Sequence, residues 1–148
     1  MELVVSPYLI AAASAWVLAQ FFKYLVASIK AKNMRQFRQF YLSGNMPSAH
    51  SATVVALATT IGLLDGTGTP LFALAALFAA VVMYDALMVR RSSGEQGAAL
   101  LQLLVDAKSK ILPPRVAKGH TPYEVLAGAL LGLVVINRDV QRSIPSGG

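Results

Sequence analysis

The sequence predicts an all-α, multi-pass membrane helical bundle, and three observations carry that expectation. Of 148 residues, 55% are hydrophobic and only 14% are charged, well below the ~25% charged residues of a soluble domain. Mean hydropathy is +0.57. The apolar residues gather into four runs separated by polar, turn-forming segments. Such a chain cannot cover itself with polar surface, and its length suits one domain over residues 1–148. With no cysteine, disulfides, thiolate metal sites and a cysteine nucleophile are excluded. The net charge of +6 fits basic loops facing an anionic leaflet better than a nucleic-acid partner.

Met1 to Ser6 has neither a basic n-region nor a cleavage site, so no signal peptide is expected. Pro7 to Ile29 is the first span, long enough for a bilayer core that needs ~20 residues; Lys23 lies within it. Lys30 to Arg38 carries four cations and no acid, which suits a short helix along the membrane surface. Gly44 to Ser51 is a polar loop with Pro47 before a helix start and Ser48 as N-cap. The second span runs to about Leu64. Asp65 to Pro70 is a turn, and the third span, Pro70 to about Val89, carries Asp85 near its end. Arg90 to Gly94 reads as a polar break. Gly97 to Leu112 reads as an interfacial helix ended by Pro113 and Pro114. The last span is Pro122 to about Ile136, and residues 137–148 form a polar tail expected to fray.

Four spans place both termini on one side. The segments after spans one and three hold four and six Lys or Arg residues, and the Asp65–Thr69 turn holds none. The positive-inside rule then puts the termini outside and the basic segments in the cytoplasm, as in a bacterial plasma membrane protein. Lys23, His50, Asp85, Arg90, Arg91 and His120 all fall on that cytoplasmic face. A solvated basic rim explains Arg35 or Lys118, but not Lys23 and Asp85, which lie inside apolar runs where an ionisable group is a functional candidate.

The chain has two histidines, and both sit at helix starts. A helix start offers unpaired N–H groups and a positive dipole end, a natural anion site. His50 is placed to protonate a leaving group there. In the second stretch, Thr121 and Glu124 match a capping box. Alternatively, Glu124 accepts from His120, fixing its tautomer and making it a nucleophile toward phosphorus. Arg and Lys side chains would stabilise charge on the transferring phosphoryl group. No metal or other cofactor is expected, since the carboxylate cluster that Mg²⁺ favours is missing from the sequence.

Four segments together resemble a known family: Ala19-Gln20-x-x-Lys23; Met46-Pro47-Ser48-Ala49-His50-Ser51; Asp85-Ala86-x-x-Val89-Arg90-Arg91-x-x-Gly94-x-Gln96; and Gly119-His120-Thr121-Pro122-x-Glu124-Val125. They resemble the divergent membrane branch of the type 2 phosphatidic acid phosphatase (PAP2) superfamily, which also includes vanadium-dependent haloperoxidases. The resemblance implies a metal-independent phosphatase in a helical bundle. It places His120 as nucleophile, Glu124 as its orienting acid and His50 as general acid. Lys23, Ser48, Arg90 and Arg91 are the expected phosphate-binding residues, with Asp85 and Gln96 as orienting or structural residues of the same motif. The chain departs from the superfamily pattern in four ways. The K-x6-R-P motif is not found, and Lys23 stands in for its lysine. The arginine position before the last motif is Pro114. Ala49 replaces glycine, and Glu124 replaces aspartate.

The expected substrate is a lipid or prenyl phosphate, monoester or diphosphate, held at headgroup depth. The main rival is a non-catalytic protein that binds an anionic headgroup. A membrane-complex subunit or small transporter is the second rival. Gly128 and Gly132 at G-x-x-x-G spacing suit helix packing, either within the monomer or in a homo-oligomer.

Overall fold

The computed structural model describes residues 6–31, 46–113 and 119–143, and every element among them is helical. The elements are α1 (Pro7–Ala31), α2 (Ala49–Leu64), α3 (Pro70–Tyr84), a π-helical turn (Asp85–Val89), α4 (Arg90–Asp106) and α5 (Pro122–Ser143). The surface helix expected after Lys30 lies almost wholly outside the described residues.

The bundle is built from small side chains. Ala11, Ala15, Ala19, Lys23 and Ala27 are buried at every fourth position along α1, so they form one stripe. On α2 the matching stripe is Ser48, Ala52, Ala56 and Thr60. Gly128 and Gly132 of α5 lie directly over it. A Cβ on Gly128 would stand 2.3 Å from the Ser48 carbonyl oxygen, and one on Gly132 2.5 Å from that of Ala52. The G-x-x-x-G pair is therefore used inside the monomer. Packing of this kind joins α2 to α1, α3 and α5, and α1 to α5. Large apolar residues point outward instead, among them Trp16, Phe21, Leu74, Phe78 and Leu130. A water-soluble domain buries its large apolar residues; small residues inside and large ones outside mark a helix bundle in lipid.

The number of full-length spans differs from expectation. Among the described residues, two helices are long and apolar enough to cross a bilayer: Pro7–Lys30 and the continuous helix Pro70–Asp106. Ala49–Leu64 and Pro122–Ile136 are shorter apolar helices. At 1.5 Å per residue, α2 is about 24 Å long, less than the ~30 Å hydrocarbon core.

The polar break expected at Arg90–Gly94 is not there, because α3, the π-helical turn and α4 are one helix. No proline lies between Pro70 and Pro113, and a single glycine disfavours helix by only about 1 kcal/mol. Arg90 to Asp85 and Arg91 to Glu95 ion pairs bridge the region. The helix also ends earlier than Pro113. Lys108 adopts φ 48°, and Lys108 and Ser109 donate N–H groups to the Val105 and Leu104 carbonyls. This is a Schellman stop with lysine where glycine is usual. At the other terminus α5 continues to Ser143, so residues 137–143 of the stretch expected to fray are helical.

Candidate active site

One end of the bundle collects the ionisable residues, and each arrives by a distinct local device. Lys23 comes from the alanine stripe of α1. It occupies the next position after Ala19 on the buried face and is 6% exposed. His50 comes from the start of α2. There Ser48 is the N-cap, its Oγ accepting from the Ser51 N–H at 3.4 Å and from the Ser51 hydroxyl at 3.0 Å. Both serines are fully buried. His50, one residue into the helix, is exposed.

His120 is positioned by the π-helical turn. Its i to i+5 step passes the Arg90 N–H to the Asp85 carbonyl. The Ala86 carbonyl instead accepts the His120 N–H at 3.2 Å. π-Helical turns tend to occur at functional sites because they free backbone groups in this way. Beside it, Gly119 lies flat on Arg91, where a Cβ would come within 2.5 Å of the Arg91 backbone. His120 is 3% exposed.

Glu124 is the node of the arrangement. Its Oε2 lies 3.1 Å from His120 Nδ1 and accepts the Thr121 N–H at 3.0 Å. Thr121 Oγ1 accepts the Glu124 N–H at 3.4 Å. The capping box and the histidine–carboxylate pair, read from the sequence as alternatives, are thus the same carboxylate serving both. The Glu124 carbonyl also accepts the Ser48 N–H at 3.0 Å, which fastens the two histidine-bearing helix starts together. A carboxylate on Nδ1 favours the tautomer with its proton there and leaves Nε2 with a free lone pair.

The charges converge. His50 lies within electrostatic range of Arg90, His120, Lys23 and Asp85, and Lys23 within range of Glu124. Arg90 is held by a 2.9 Å contact from Nε to Asp85 Oδ2, and both side chains are partly exposed. Three of the expected residues stand differently. Arg91 turns to Glu95 at 3.1 Å on the outer surface, and of the two arginines it is Arg90 whose charge acts on His50. Gln96 donates to Ser92 Oγ at 3.3 Å on exposed α4, away from the cluster. Ser48, expected to bind phosphate, has its hydroxyl and N–H engaged in the seam, where they cap α2 and hold α5. Sequence reasoning missed Ser51, Ala86 and Gly119 as supporting residues. All three belong to the quoted motifs, but no local signal gave them a supporting role.

Residues 4–135 match the Divergent PAP2 family, a stretch that includes every candidate residue. The chain belongs to the Divergent PAP2 family. The resemblance drawn from the four segments is therefore borne out, and it ties this member to a phosphatase-related superfamily. An uncharacterized membrane protein, YuiD of Bacillus subtilis (strain 168), is 33% identical over 91% of this chain and 94% of its own length. No solved structure matches the chain.

Proposed function

We propose that this Divergent PAP2 member hydrolyses a phosphate monoester or diphosphate carried on a lipid or amphiphile, through a phosphohistidine on His120. The observation that carries the reading is the buried His120 with Nδ1 on Glu124, in range of His50, which is itself in range of the cations Lys23 and Arg90.

In the first step the Nε2 lone pair of His120 attacks phosphorus, and the bond from phosphorus to the lipid oxygen breaks. Glu124 balances the positive charge that develops on the imidazole. Lys23 and Arg90 face the charge on the equatorial phosphoryl oxygens. A lipid alkoxide is a poor leaving group, so His50, protonated, gives it a proton. In the second step water attacks the phosphohistidine while His50, now neutral, takes the proton from water. The N–P bond breaks, and inorganic phosphate and both histidines are regenerated.

The proposed setting is a multi-pass protein of a bacterial plasma membrane, with the site at its cytoplasmic face. Supporting this, the site end of the bundle carries Lys30, Arg90 and Arg91, whereas the Asp65–Thr69 turn at the opposite end has no Lys or Arg. The test is phosphate release from a panel of lipid and prenyl phosphates by purified protein, with EDTA present and His120→Ala as control. Release that vanishes in the variant supports the reading. No release from any substrate by well-folded protein favours a headgroup-binding or assembly role on the same residues. A strict need for Mg²⁺ contradicts the mechanism.

A further inference from the structure

The long helix Pro70–Asp106 carries a π-helical turn at Asp85–Val89, where the charged cluster lies. Closing i to i+5, the turn holds one residue more than an α-helical turn. That residue decides two contacts. Asp85 and Arg90 are five positions apart. On an α-helix, at about 100° per residue, they would stand about 140° apart and could not meet. Here Arg90 Nε lies 2.9 Å from Asp85 Oδ2. The second contact is made by backbone. An α-helical ladder would give the Ala86 carbonyl to the Arg90 N–H. That N–H goes to Asp85 instead, and the Ala86 carbonyl accepts the His120 N–H at 3.2 Å.

The packing of α4 does not call for the extra residue, since among the described residues no α4 side chain is buried. What the residue does set is local to the cluster. Arg90 is turned onto the face of Asp85, and both charges act on His50. His120 is hung from the same turn, with Gly119 flat on the Arg91 backbone beside it.

We infer that the extra residue of the π-helical turn is a register device that sets the oxyanion-holding cation against the nucleophile, with Asp85 as the positioning residue for Arg90. The inference rests on the proposed phosphatase reading for the roles of Arg90 and His120. Because Asp85 takes Nε, it fixes the plane of the guanidinium and leaves the outer Nη edge to the oxyanion.

The experiment uses the full chain in phosphatidylcholine nanodiscs, with orthovanadate binding measured by calorimetry. Asp85→Ala is expected to weaken binding about fivefold or more, and to change it by less than about twofold in an Arg90→Ala background. Asp85→Asn, whose amide oxygen still accepts from Nε, should return to within about twofold of wild type. Equal weakening with and without Arg90, or wild-type protein that binds no vanadate, overturns the positioning role. The expected binding pattern without phosphate release from any lipid phosphate would keep the inference and remove the phosphatase reading.

The register is tested without ligand. Deletion of Met88, an exposed residue of the turn, restores the α-helical count. Arg90 then stands four positions from Asp85 and keeps its partner, while the Ala86 carbonyl goes to the Arg91 N–H. The chain has two histidines, so selective 15N-histidine labelling gives two backbone amide signals. The His120 amide should exchange with solvent about tenfold faster or more in the deletion, and within about twofold of wild type in Asp85→Ala. Deletion of Val89, also exposed, restores the same count and should agree. His120 protection unchanged in both deletions overturns the inference.

Discussion

Two helices begin alike in this protein and leave their histidines in opposite situations. α2 is capped by Ser48 and α5 starts after Thr121, each hydroxyl accepting an N–H three residues on. His50 follows its cap, so it rides on the helix and is exposed. His120 precedes Thr121, so it lies in the incoming chain, buried against Ala86 and Glu124. A shift across the cap decides which ring is fixed and which is exposed. The proposed roles follow the same division. A nucleophile gains from one orientation held by its surroundings, whereas a general acid must reach a leaving group on the open side.

That contrast can be broken most directly at the buried ring. His120→Ala should lower turnover by about a thousandfold or more with the helical circular-dichroism signal retained; turnover near wild type removes the nucleophile role. Glu124→Gln comes next. The amide oxygen can still accept the Thr121 N–H, so thermal stability should fall by less than about 1 kcal/mol. Activity should fall by at least ~100-fold, since an amide cannot balance the imidazolium. Loss of stability with activity intact would make Glu124 a cap and nothing more.

The exposed ring should behave differently. His50→Ala should lower kcat/KM for an alkyl phosphate by about 100-fold, in line with general-acid contributions, and should hardly affect kcat/KM for a nitrophenyl phosphate, whose leaving group needs no proton; kcat should fall on both, because the water-activating step is shared. Equal loss of kcat/KM on both substrates would contradict the assignment. The smallest effects sharpen the account of the arginines. Arg90→Ala should cost roughly 100-fold in kcat/KM, as loss of one phosphoryl-stabilising donor does. Arg91→Ala should stay within about twofold, because its exposed pair with Glu95 contributes little. The reverse order would mean that Arg91 leaves Glu95 for the phosphate.

Much of this end of the molecule was legible because its signals are local. Ser48, Thr121 and Glu124 are caps, and a cap is written in a few consecutive residues. Lys23 and Asp85 stood out as ions inside apolar runs. The alanines at 11, 15, 19 and 27 could have placed Lys23 on the buried face, since they share its four-residue spacing. What was not legible depends on distant partners. Gly128 and Gly132 announced a close approach but not to which helix, and α2 was supplied by the fold. The π-helical turn lacks the proline or glycine that would flag it. It is matched to the arrival of His120 from a segment more than thirty positions on, which no local pattern encodes. The stop at Lys108 was hidden for the same kind of reason, as lysine occupies the left-handed position that glycine usually signals. Arg90 to Gly94 misled because polarity was read as a break, although polar residues are compatible with a helix that has left the apolar layer.

The most direct test is to trap the phosphoryl group. Purified protein mixed with a hydrolysable lipid phosphate would be denatured during turnover at alkaline pH, which preserves phosphohistidine, and digested for mass spectrometry. A phosphoryl group on the His120 nitrogen, rising within the first turnover and absent from His120→Ala, is the predicted result. Steady phosphate release with no phosphoryl group on His120, or with one on another residue, would contradict the account.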